Sequence, residues 1–279
     1  MHSCWVKALK ILPPHTVVHK QDWFIGERYR PEANETQESF LSRSFERHFF
    51  ERPYLHHDCY LFVMKTTRER MRTRSDFSTL CRGFLVPKEV RDPEAVTRFL
   101  DAVSQAVGIL NESGLFRLER LTTDEIAGTP QCTGLLGRYL ALSRSPRAVL
   151  EDMRLDPGEM HVGDKRLCLH TLSDLDDLPQ GVDTDVRYER LSTDRSDCRL
   201  SFAAPVGLRL GCNHIYNQFV FLDDADETLR RFERTARNMN SLSRYSRANA
   251  LNKEWIDAFL NEAHDESLLP VRCHCNVLS

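Results

Sequence analysis

The stretch DPEAVTRFLDAVSQAVGILNESG, residues 92–114, is written as a helix from end to end. Asp92 stands where a carboxylate accepts the first free backbone N–H groups, and Pro93 fits the first helical position. Val96, Phe99, Leu100, Val103, Val107 and Leu110 then recur on one face, and Gly114 ends the run in the favoured way. Such a face has to be covered. The segments around it read largely as strands, so the chain must build a sheet for helices to pack on.

Strand-like runs rich in β-branched and aromatic residues lie at 15–25, 59–66 and 78–86, and LFRLERL (115–121) alternates as a short strand. GEMHVGDKRLCLHTL (158–172) predicts a hairpin turning at Gly163-Asp164. Two more strands follow, LSFAAPVGLRLG and NHIYNQFVFLD, and the chain closes on VRCHCNVLS. Trp5, Leu9 and Leu12 mark a first helix stopped by Pro13-Pro14. Phe40, Leu41, Phe45 and Phe49 form an apolar stripe on a helix within 35–52, and Thr122 with Glu125 has capping-box spacing. Part of 131–153 is helical despite Gly134 and Gly137. Leu229, Phe232, Ala236 and Met239, then Leu251, Trp255, Ile256, Phe259, Leu260 and Ala263, mark two late helices. The fold class expected is α+β, with mixed or mostly antiparallel sheets and packed amphipathic helices. The acidic loop 173–185 divides an N-terminal lobe, 1–172, from a second lobe, 186–279, unless the two are continuous.

The 279 residues can bury a sizeable core, and a net charge of −3 supplies no general attraction for nucleic acid or an anionic membrane. No apolar run approaches the roughly 20 residues of a membrane helix. The N-terminus lacks the apolar region of a secretory signal, and nine scattered cysteines read as reduced thiols of a cytosolic protein.

Several clusters could carry chemistry. In a strand Cys273 and Cys275 share a face with Val271 and Val277, while His274 joins Arg272 and Asn276, so the triplet reads as buried structural thiols rather than a metal grip. Cys168 and His170 share a face and raise a thiolate-imidazole dyad, with hairpin packing as the simpler alternative. His56-His57-Asp58 and the acidic residues of 173–185 read as strand and solvated loop, and residues 192–197 as a turn. Two basic features could touch phosphates or a partner: the 65–74 tip, with Arg68, Arg70, Arg72 and Arg74, and a helix face with Arg230, Arg231 and Arg234. GxxxxGK[ST], GxSxG and HExxH do not occur; GLLGRY (134–139) lacks the length and the Lys-Ser/Thr pair of a phosphate loop.

The strings SFLSRSFERHFFERP (39–53), ERLTTDEIAGT (119–129), RLCLHTLSDLDDLP (166–179), RYERLSTDRSDCRLSFAAPVGLRLGCNHIYNQFVFLDD (187–224) and NKEWIDAFLNEAH (252–264) resemble the N-terminal region of the TraG-family ATPases of conjugative transposons. These belong to the conjugation ATPases of type IV secretion systems. The resemblance implies a noncatalytic assembly or docking domain in conjugative DNA transfer, at the cytoplasmic face of the inner membrane. It implies channel components or further copies of the protein as partners. ATP and magnesium are implied only for the P-loop domain that follows in the family, so no cofactor is expected in this chain and no catalytic or nucleotide-binding residue carries over. The uncapped first helix and the terminal strand then read as cuts in a longer protein, with the strand's partner sequence missing. Two alternatives remain: a nucleic-acid-binding module using the 65–74 tip, and a metal- or thiol-dependent enzyme at Cys168/His170 or Cys273/Cys275.

Overall fold

The computed structural model describes residues 2–29, 39–66, 91–149, 151–172, 186–200, 210–242, 246–265 and 270–279. In chain order these form α1 (His2–Ile11), β1 (Thr16–Arg28), α2 (Phe40–Phe50), β2 (Pro53–Lys65), α3 (Pro93–Glu112), α4 (Thr123–Ala127), α5 (Leu135–Leu140), β3 (Met153–Asp156), β4 (Glu159–Val162), β5 (Lys165–Leu167) and β6 (Leu169–Thr171). They continue with β7 (Val186–Arg187), β8 (Arg199–Leu200), β9 (His214–Leu222), α6 (Ala225–Leu242), α7 (Arg247–Asp265) and β10 (Arg272–Leu278). The fold is α+β with antiparallel sheets.

A five-stranded sheet has the order β2-β1-β9-β10-β6; β3-β4-β5 and β7-β8 form two small ones. His15 N–H donates to Leu222 O and Thr66 N–H to His15 O, so the ends of β9 and β2 both lie beside the start of β1 and both neighbours run antiparallel to it. β10 pairs antiparallel with β6, matching Val277 with His170. The chain divides into two compact units. One comprises Met1–His19, Leu61–Glu119 and Phe219–His274; the other comprises Lys20–Tyr60, Arg120–Gln218 and Cys275–Ser279.

The first unit has a dry core. Ala8 and Leu9 of α1, Leu12 just after it, and Ala106 and Leu110 of α3 close over Val18 and Leu222 of the sheet, with Leu61, Val63 and Val220 packed around them. The expected capping of α3 is present: Asp92 Oδ1 accepts from Glu94 N–H at 3.1 Å. Gly114 follows in the left-handed region at φ 66°, where only glycine is unstrained. In the same unit α6 packs on α7, with Phe232 edge-on to Phe259 at 5.2 Å. A cavity of ≈ 20 Å³ between α1, α3 and the strands is apolar throughout, so it is a packing defect without the polar partners a bound water needs.

Three expectations are corrected. Residues 115–121 are not a strand: Leu118 N–H donates to Asn111 Oδ1 at 2.7 Å, and Asn111 Nδ2 donates to Leu118 O at 3.2 Å. The side-chain amide of α3 thus does the work of a neighbouring strand. β10 is no unpaired edge lacking its partner, because it lies between β9 and β6 within this chain. The stripe of α2 is not packed inward; Phe40, Leu41, Phe45 and Phe49 are all exposed. The helix itself is as expected, capped by Ser39, whose Oγ accepts from Ser42 N–H at 3.2 Å. The strand at 78–86, the tip beyond Thr66 and the acidic loop 173–185 lie outside the described residues.

Candidate functional site

One group of ionisable side chains sits in the second unit, where Lys20 and Asp22 of β1 meet His57 and Cys59 of β2. Alternate residues of a strand share a face, so two i,i+2 pairs on neighbouring strands form one four-membered cluster. Asp22 is buried, with His57 Nε2 at 2.8 Å from its Oδ1, and the Lys20 ammonium and the Cys59 thiol also donate to it. Burial alone would raise the Asp22 pKa, but the hydrogen bonds from His57 and Lys20 outweigh it and hold the carboxyl below its ordinary value. The reverse holds for Cys59: although the residue as a whole is exposed, desolvation of its thiol, and then the negative charge of Asp22, push it up to about 11.

That arrangement contains the residue types of a thiol protease but not their order. A nucleophilic cysteine needs a depressed pKa and an imidazole to take its proton. Here thiol and imidazole both spend their hydrogen bonds on one carboxylate, and the thiol stays protonated at neutral pH. The cluster ties two strands together.

Beside it runs a second polar system. Trp23 Nε1–H donates to Gln21 Oε1 at 2.8 Å, Gln21 Nε2–H to Asn217 Oδ1 at 2.8 Å, and Asn217 Nδ2–H to Asn276 Oδ1 at 2.9 Å. Three strands, β1, β9 and β10, are thereby joined by amides that all donate in one direction, an order that polarises and strengthens each link. Trp23 is itself buried and packs edge-on to Tyr60 at 5.2 Å and tilted on Tyr139 of α5 at 5.9 Å. At the far end of β1, the Arg144 guanidinium donates to both Glu27 and Asp58.

The residues singled out in the sequence fall elsewhere. Arg230, Arg231 and Arg234 lie on the exposed side of α6, where Arg231 stands over the Phe232 ring at 5.8 Å. Asp226 and Glu233 interrupt that side, so it is mixed rather than basic. Arg68, Arg70, Arg72 and Arg74 lie outside the described residues; Lys65, at the base of the tip, donates to Pro14 O and burial lowers its pKa. Cys168 exchanges both backbone hydrogen bonds with Ser279, and His170 is exposed opposite Val277. In β10 the predicted alternation holds: Arg272 Nε donates to Asp223 at 2.6 Å, the His274 ring lies 6.0 Å from Phe219 and Asn276 accepts from Asn217. Cys273, expected to be buried, is exposed, because the cysteine side of the strand is covered only toward Val277.

The glycines of GLLGRY serve packing. A Cβ on Gly134 would sit 2.2 Å from the backbone nitrogen of Gly128, so the two chain segments touch where side chains cannot fit. Residues 192–197 form the expected turn, with Thr193 bridged to Ser196 and Ser192 Oγ accepting from Cys198 N–H at 3.0 Å. Among the described residues no three His, Cys, Asp or Glu side chains gather as metal ligands. None of the described helices is long and apolar enough to cross a membrane.

Gln21, Asn217, Asn276, the Asp22 cluster and the outward stripe of α2 are absent from the sequence reading as sites. One signal was available: Asn217 lies between Tyr216 and the apolar run of β9, and a buried amide there has to find a partner. No protein-family model matches the chain, and no curated protein matches it.

Proposed function

We propose that this chain is a noncatalytic assembly domain of a conjugation ATPase in a type IV secretion system, which docks onto channel components at the cytoplasmic face of the inner membrane. The sequence strings set out above carry the family assignment. The observation that carries the docking role is α2, a capped helix with its phenylalanines in solvent. Exposed apolar surface of that kind marks interaction sites. Support also comes from the ionisable cluster, whose thiol, imidazole and carboxylate are consumed in joining strands and leave no nucleophile poised for reaction.

The test is co-purification. Tagged chain expressed in a conjugating donor cell should retain the transfer ATPase or a named channel component through a high-salt wash. Recovery of neither rejects the proposal. Single-stranded DNA binding that weakens steeply with salt and disappears on replacing Arg68, Arg70, Arg72 and Arg74 by alanine would move the function to the nucleic-acid reading.

A further inference from the structure

In the second unit the three-stranded sheet ends at β3, an edge strand with an apolar side left in solvent. Leu155 is 78% exposed, more than any other large apolar side chain among the described residues, and Met153 is 50% exposed. Cross-strand partners share a face, so Met153 stands beside Val162, and Leu155 begins a row that runs through Met160 to Leu167. Val162 is buried and Met160 half-buried, whereas the same apolar surface lies open where it reaches β3.

The backbone decides what can lie there. Antiparallel neighbours alternate between residues bonded to their partner and residues turned away from it. Gly163 N–H donates to Asp152 O at 2.9 Å, so Arg154 and Asp156, two and four positions on, also spend their N–H and C=O groups on β4. Met153 and Leu155 therefore turn theirs outward along the edge. Another extended chain presents donors and acceptors at that spacing, with side chains that alternate to match.

The charges select which chain. Asp152, Arg154 and Asp156 are exposed on the other side of the strand. Opposite Asp156 stands Glu159, a second acid, which His161 and Arg166 hold at 3.3 and 3.6 Å, so nothing across the ladder neutralises Asp156. A second copy of β3 laid against it in full register would set arginine on arginine and acid on acid, whichever way it ran. Like charges directly opposite destabilise a sheet, and a shift of two residues leaves only three paired. A strand reading basic-apolar-acidic-apolar-basic matches from Asp152 to Asp156.

We infer that β3 is a docking edge: an extended segment of a partner protein with that charge pattern adds to it as an antiparallel fourth strand, its two apolar side chains beside Met153 and Leu155. This surface is separate from α2, and the inference stands whichever machine the chain serves.

Fluorescence anisotropy on the full chain, with a labelled and end-blocked peptide of core sequence Lys-Val-Glu-Val-Lys, tests it. Binding should saturate and be about ten-fold or more tighter than that of Asp-Val-Lys-Val-Asp, as three matched cross-strand charge pairs allow. Methylating both valine nitrogens, which removes the N–H groups that face Met153 and Leu155, should abolish it. Arg154→Glu should weaken the first peptide and favour Lys-Val-Lys-Val-Lys, an exchange that a loss of fold cannot mimic. Absence of binding, equal binding of the two charge patterns, or indifference to N-methylation overturns the inference. A chain that sediments as a dimer until Leu155→Asp is introduced overturns it in favour of self-pairing.

Discussion

The two compact units hold their strands by opposite means. In the first, α1 and α3 bury Ala8, Leu9, Leu12, Ala106 and Leu110 against Val18 and Leu222. In the second, strands are joined by Trp23, Gln21, Asn217 and Asn276 in series, and by Asp22 shared among His57, Lys20 and Cys59. Apolar packing is non-directional and tolerates small shifts, whereas a chain of amides holds only one register. The contrast teaches that strands can be held by area in one unit and by geometry in another.

The largest way to break that contrast is in the dry core. Leu110→Ala should lower the unfolding free energy measured in urea by about 2–5 kcal/mol through lost transfer energy and a cavity. Next comes Asn217→Ala, which strips the acceptor of Gln21 and the donor of Asn276 together. It should cost about 2–3 kcal/mol, since each orphaned group carries its own desolvation penalty. A cost well under 1 kcal/mol would mean that the amides decorate the second unit without holding it.

The Asp22 cluster sharpens the comparison by pH. Its folded pKa lies below the ordinary 3.8, so its contribution is present above that value and is lost as pH falls through the folded pKa. Urea midpoints should drop in that acid window for the parent, and Asp22→Asn should flatten this limb of the profile while Leu110→Ala leaves its shape intact. The smallest effect is local. Thr122→Ala removes the hydroxyl oxygen that accepts from Glu125 N–H at 3.3 Å in the capping box, and should cost about 1 kcal/mol whichever kind of core lies beneath.

The same contrast separates what was legible in the sequence from what was not. Helices α1, α3, α6 and α7, the capping box at Thr122 and the turn at Gly163 were readable because caps and 3.6-residue spacing are local marks. The register Val162 opposite Lys165 confirms the two-residue turn between them. The amide series was not readable, because Gln21 and Asn217 are 196 positions apart and nothing near either names the other. LFRLERL misled because alternation reports a two-faced segment but not a neighbour to bond, and Asn111 supplied that bond instead. For α2 the stripe was plain, but periodicity says that a face exists and not what covers it. The site suffered most: arginine clusters are conspicuous in a sequence, while the connected groups are ordinary Gln, Asn, Asp and His on separate strands.

The 196-position gap between Gln21 and Asn217 also has a cost in time. At about 5–20 residues per second of synthesis, β1 leaves the ribosome roughly 10–40 s before the strand it must pair with. During that wait one edge of β1 presents unpaired N–H and C=O groups, and Trp23 lacks the core that will bury it. The nascent chain is thus most open to misassociation and chaperone capture before β9 is made, long after its first helix has formed.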